Sequence, residues 1–247
     1  MNDKFFSQIY DSFIARSDIS NKKINNHILK ILKHHHVKSI GDSSCGTGNQ
    51  SIFFARKGFR VISSDINPYI VKIAKKKSKN LKIEWKTGNM IKLNFKGVDS
   101  IISIYNSILH LDNREIIEGF KNFYDNLNSG GVLIFDVFNE TFLRKNIAHH
   151  KFIQNVFEVN KKRYVLLNEV SKIDKTGLMV SNFKLYFQKG FHERKEFSFK
   201  ICQFICSRGE IVNLLKKTGF KKIETYDPKG GRFNKKKSVF LLVVAKK

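Results

Sequence analysis

Cysteine is scarce in this chain, acidic side chains are few, and no long apolar run occurs anywhere along it. Each shortage excludes something. The three cysteines are Cys45, inside a glycine turn, and Cys202 and Cys206, spaced as neighbours on one strand face rather than as a metal pair. No metal site is therefore expected, and a cytoplasmic setting is. Without roughly 18 consecutive apolar residues the chain offers no candidate transmembrane helix. The opening Met1-Asn2-Asp3-Lys4-Phe5-Phe6 does not read as a signal peptide, and no membrane partner is expected.

Asp and Glu number 21 against 46 Lys and Arg, a formal net charge of +25. Such an excess raises affinity for phosphate backbones. The cations are mostly lysine, however, and their runs at 75–77, 161–162 and 235–237 are scattered, whereas phosphate and guanine are gripped best by clustered arginine. A solvated lysine surface is the favoured reading, with RNA or protein as the alternative substrate class. No internal repeat or linker interrupts the 247 residues, and at 41% hydrophobic they suffice for the core of one domain.

What the chain does contain is Ser39-Ile40-Gly41-Asp42-Ser43-Ser44-Cys45-Gly46-Thr47-Gly48-Asn49, followed by Arg60-Val61-Ile62-Ser63-Ser64-Asp65. This reads as strand, glycine turn, helix, strand and acid, which is half of a nucleotide site. Gly46 and Gly48 let the backbone turn tightly and approach a ligand. Asp65, 19 residues after Gly46, can accept both hydroxyls of a ribose. A dinucleotide site wants a third glycine where Ser51 stands, and Asp42 beside the turn would repel a pyrophosphate. S-adenosylmethionine has no phosphate and carries a sulfonium and an ammonium, so the acids favour it over NAD.

Helical patterns at 3–16 and 20–35 precede the first strand and would cap the ligand cleft. A helix at 68–78, capped by Asn67, strands at 81–85 and 99–105, a helix at 115–127 and a strand at 132–138 continue the alternation. That order predicts an α/β, doubly wound, mostly parallel sheet. From about residue 152 the texture changes to alternating runs at 157–160, 163–173, 178–189 and 197–206, broken at 160–162, 174–177 and Gly190. These predict an antiparallel meander roofing the substrate pocket. The single domain thus divides into a helical cap at 1–36, a core at 37–151 and 207–247, and an insert at 152–206.

With these residues in place, the chain resembles the class I S-adenosylmethionine-dependent methyltransferases. It is most similar to small-molecule enzymes of the glycine N-methyltransferase type, and its meander to amino-sugar N,N-dimethyltransferases. The resemblance runs through Cys45-Gly46-Thr47-Gly48, Ser51, Gly58-Phe59, Asp65, Asn106-Ser107, His110, Gly130-Gly131, Asp136 and Asn139 to the last strand. It implies a seven-stranded sheet, S-adenosylmethionine as methyl donor and S-adenosylhomocysteine as product. Asp42, Gly46, Gly48, Asp65 and Ile66 would hold the cofactor, with Asn89 and Met90 at the adenine and Tyr105 and Asn106 at the cleft mouth. Asn89 replaces the acid usual there.

The same resemblance places Tyr10 over the reacting centre, unless it merely packs an entry helix; a helix preceding the first strand is free to fold over the cleft, and Phe5 and Phe6 would be the apolar underside of such a lid. Phe138 and Asn139 would meet the substrate. Phe138 stands where the glycine-type enzymes have an arginine for the substrate carboxylate, so glycine itself is not the expected acceptor. His110 is the candidate base, with Tyr10 or water as the fallback, or else a polar residue lining the cleft. The expectation is an enzyme methylating a small molecule, N-directed. Self-association and a non-catalytic regulator stay open.

Overall fold

The computed structural model describes residues 3–14, 18–147, 150–159, 161–189 and 193–247. Helices α1 (Asp3–Ile14) and α2 (Asp18–His34) precede the alternating core of β1 (Ser39–Asp42), α3 (Asn49–Arg56), β2 (Arg60–Asp65), α4 (Pro68–Lys77) and β3 (Ile83–Thr87). Then come β4 (Val98–Ser103), α5 (Glu115–Asn126), β5 (Leu127–Phe138) and α6 (Glu140–Asn146). The strands β6 (His150–Val159), β7 (Lys162–Val170), β8 (Leu178–Lys189) and β9 (Glu193–Phe204) follow, and α7 (Arg208–Lys217), β10 (Lys222–Tyr226) and β11 (Phe240–Lys246) complete the chain.

The main sheet runs β10-β11-β5-β4-β1-β2-β3, parallel except where β11 pairs with β5 and β10 with β11. Side-chain alternation builds a core on each face. Leu133, Phe135 and Val137 of β5 join Leu241, Val243 and Ala245 of β11 beneath α5 and α7, while Val132, Ile134, Leu242 and Val244 face the α2–α3 side. Both faces are covered here, so β5 between Val132 and Phe135 and β11 between Phe240 and Ala245 are apolar without alternation. The chain reverses direction across the sheet between β1 and β4, and ligands of such sheets bind beyond the carboxyl ends at that switch point.

A second, antiparallel sheet β6-β7-β8-β9 lies over this edge. Tyr164, Leu166, Phe183, Leu185 and Phe187 of its inner face pack with Ile9 of α1, which makes the first helix a wedge between roof and core. The α/β doubly wound sheet and the meander stand as expected from sequence. Boundaries shift: β6 includes residues from His150 on, α6 had no sequence counterpart, and β5 starts at Leu127 rather than after Gly131, while the expected end of the first helix at residue 16 lies outside the described residues. Pairing of Leu127 with Val98, across a register shift, keeps the Gly130 turn within the strand. Cys206 lies past the end of β9, so it is not a strand neighbour of Cys202. The Gly190 and Asn160 turns, and the Phe5 and Phe6 side chains, lie outside the described residues.

Candidate active site

The turn after β1 is left-handed at Gly46 (φ 52°) and Gly48 (φ 87°). A Cβ on Gly48 would come within 2.6 Å of Trp85, and one on Gly46 within 3.0 Å of the Tyr10 ring. Only glycine fits both the torsion and the space. Asp65, at the end of β2, accepts from Gly46 N–H at 2.9 Å and from Asn67 N–H at 3.0 Å. Burial raises its pKa, and these backbone donors oppose the rise.

Asp42 is placed differently from the sequence expectation. Its carboxyl is buried beneath the turn, accepting from Ser51 Oγ at 2.6 Å, and so braces the first turn of α3. Ser51 thereby fills the slot of the missing third glycine with a bond that glycine could not make. Burial pushes Asp42 up to about 7, against the pull of Ser51 and the Ser44 N–H.

Tyr10 of α1 lies across Gly46 in a space walled by Asp11, Asn21, Cys45 and Tyr105. Burial, then the nearby charge of Asp65, raises its pKa far above the ordinary phenol range. Tyr10 therefore stays protonated near neutral pH, which argues against the fallback role of base. Two consecutive non-glycine residues after β4, Tyr105 (φ 70°) and Asn106 (φ 58°), are left-handed, a strain that folds retain mainly at functional sites. It is held from both sides. Tyr105 Oη donates to Asn21 Oδ1 at 2.7 Å and accepts from Gln50 Nε2 at 3.1 Å, while Asn106 N–H donates to Asp136 Oδ1 at 2.9 Å.

The lid is tied to the turn. Lys77 Nζ reaches Asp11 Oδ2 at 2.9 Å, Thr47 Oγ1 at 3.2 Å and Asn49 Oδ1 at 3.2 Å, and Thr47 Oγ1 also donates to Asp11. With α1 so placed, the cavity at the turn is only about 30 Å³, about one water's share of volume. No sequence pattern signals Lys77, which sits in an ordinary lysine run.

Residues 40–131 match the methyltransferase domain family. Over its whole length the structure is similar to an S-adenosylmethionine-dependent methyltransferase of Clostridium acetobutylicum, with a TM-score of 0.82, 21% identity, and 98% of this chain and 97% of that one covered. A methyltransferase domain thus spans residues 40–131 of the chain. It is also similar to the sugar N-methyltransferase KedS8 of Streptoalloteichus, at a TM-score of 0.78 and 15% identity over 96% of this chain and 93% of that one. In sequence it is 28% identical to the carboxy-S-adenosyl-L-methionine synthase of Campylobacter jejuni over 90% of this chain and 87% of that protein. The mouse glycine N-methyltransferase matches at 29% over 47% of this chain and 45% of that protein.

The residues of this methyltransferase fit its cofactor: a bare, left-handed glycine turn for close approach, an acid at the end of β2, and further acids that suit a sulfonium. Ile66, beside Asp65, leaves 68% of its surface exposed, an apolar face suited to adenine. Asn89 spends its oxygen capping a 3₁₀ turn, accepting from Ile91 N–H at 3.1 Å, and Met90 packs against the main core. His110 ends the 3₁₀ turn Ser107–His110 on the β9 side. It is exposed, yet crowding lowers its pKa against a hydrogen bond with the Cys202 backbone. It is not a wall of the Tyr10 cavity.

Phe138 stacks on Phe240, and Asn139 Nδ2 donates to the Lys235 and Ser238 carbonyls at 2.9 and 2.7 Å. They share a second cavity of about 280 Å³ with Arg208, Phe233 and Lys235. Two cations from distant elements, Arg208 and Lys235, thus line the cavity at Phe138, which the sequence order concealed.

Proposed function

We propose that this enzyme methylates the nitrogen of a small amine. The observation that carries the reading is the composition of the Tyr10 cavity: Asp11, Asn21, Tyr10 and Tyr105 are among its walls, and no Lys or Arg is among the described ones. Such a space suits a neutral or cationic acceptor and repels a phosphate backbone or a carboxylate. The aromatic inner face of the roof adds a surface for an apolar or sugar ring, in keeping with the sugar N-methyltransferase likeness.

When bound, the cofactor supplies an electrophilic methyl group. The protein's part is to align the nitrogen, exclude water and take a proton. Tyr10 stays protonated and the Tyr105 hydroxyl is engaged with Asn21 and Gln50, so neither competes for the methyl group. His110, neutral near pH 7 because its pKa is lowered, takes the proton of the incoming ammonium at the rim.

The Campylobacter likeness favours a second reading, in which the product is a carboxylated adenosylmethionine. That product needs a cation for its added carboxylate beside the donor; among the described residues no Lys or Arg lines the Tyr10 cavity, and Lys77 is engaged with Asp11, Thr47 and Asn49. A methyl-release assay with ethanolamine, glycine, glucosamine, benzylamine, phenol and bulk tRNA, read by mass spectrometry, separates the readings. Methylated ethanolamine, glucosamine or benzylamine is expected. Methylation of phenol or tRNA alone, or a carboxylated donor, overturns the proposal.

A further inference from the structure

The inner face of the second sheet is apolar and aromatic, with Phe157 stacked on Tyr164 and Phe183 on Phe199, each pair at an interplanar angle of 8°. Asn168 interrupts it. This residue stands on β7 two positions beyond Leu166, opposite Phe183 of β8, and leaves only 6% of its surface exposed. Its Nδ2 donates to Gln154 Oε1 at 2.9 Å, but Oδ1 is buried with no hydrogen-bond partner among the described residues. A buried acceptor left unmatched costs stability that an apolar residue of similar size would not.

A local irregularity holds that amide in place. The register between β6 and β7 shifts at Ile153 and Asn155, leaving Gln154 as a bulge, and bulges re-aim side chains and recur beside active sites. Gln154 grips Asn168, while Asn155 Nδ2 donates to the Ser12 carbonyl in the last turns of α1 at 2.8 Å. One bulge thus sets both the orientation of Asn168 and the landing point of the lid. On either side of Asn168 along the inner face, Leu166 packs with Ile9 of the lid and Val170 packs into the main core. Asn168 therefore occupies the stretch of roof between the lid and the body of the enzyme.

We infer that Asn168 is a substrate-binding residue whose Oδ1 accepts an N–H of the methyl acceptor; this rests on the amine reading above. A nitrogen donating upward to the roof presents its lone pair away from it. Primary and secondary amines both have an N–H to give, and a tertiary amine has none. Asn168 would accordingly hold the substrate and the monomethyl intermediate and release the dimethyl product.

The test uses the full chain and the most rapidly methylated amine of the panel above. Asn168→Leu should raise its KM about tenfold, the loss of one hydrogen bond, while cofactor affinity by calorimetry is unchanged and Tm holds or rises. If Asn168→Leu does not fold, Gln154→Ala, on the exposed edge strand, should raise KM several-fold at constant Tm. An unchanged KM in a folded variant overturns the inference and leaves the amine reading standing. A wild type that methylates no amine overturns both.

Discussion

At the scale of single residues, the site depends on where protons sit. Tyr10 and Asp65 lie on either side of the glycine turn, and burial, with the charge of Asp65 added, keeps the phenol protonated. Asp65→Ala should weaken S-adenosylmethionine binding by roughly 1.5–3 kcal/mol, the scale of a hydrogen bond to a charged group. Calorimetry showing equal affinity in the variant would remove Asp65 from the site. Tyr10→Phe should lower turnover modestly without moving the pH profile, because only alignment is touched. A shift in the acidic limb would restore Tyr10 as a proton acceptor. His110→Ala, in contrast, should alter that limb and leave cofactor affinity alone.

At the scale of elements, α1 is both wedge and cover. Its polar tie is the Lys77–Asp11–Thr47 cluster, and its apolar tie is Ile9 against the roof. The ion pair is largely solvent-accessible, so it contributes no more than about 1 kcal/mol. Lys77→Ala should speed hydrogen exchange in α1 by up to about fivefold and accelerate cofactor exchange, with little loss of global stability. Added salt should do the same to the wild type. Identical α1 exchange in the two proteins would show that Ile9 alone holds the lid.

For the molecule as a whole, the buried acids set the response to pH. Asp42 is at about 7 in the fold against 3.8 unfolded, so between these values the native state keeps a proton that the unfolded chain has released. The contribution of Asp42 is then greatest below about pH 4, falls as pH rises to about 7 and levels beyond it. Asp42→Asn should flatten that slope, as thermal unfolding across this range would register. An identical slope in the variant would assign the dependence elsewhere. Ionised Asp42 and Asp65 also attract a sulfonium, so S-adenosylmethionine should bind more tightly at pH 8 than at pH 6 and S-adenosylhomocysteine much less so.

Much of this protein is written locally. The alternation of Leu133, Phe135 and Val137 with Val132 and Ile134 specifies a strand buried on both faces, and the spacing from Gly46 to Asp65 specifies the cofactor half-site, because backbone torsion and side-chain period are properties of neighbours. The polar and apolar steps from residue 157 to 206 likewise specify most of the roof, although its first strand extends back to His150. Packing decided what those residues do. Asp42 turned inward to Ser51, Tyr10 met Asp65 and lost its use as a base, His110 went to the β9 side, and Lys77 became the tie of the lid. Each of these outcomes depends on burial and on partners far away in the chain, and desolvation and charge act through space rather than along the sequence.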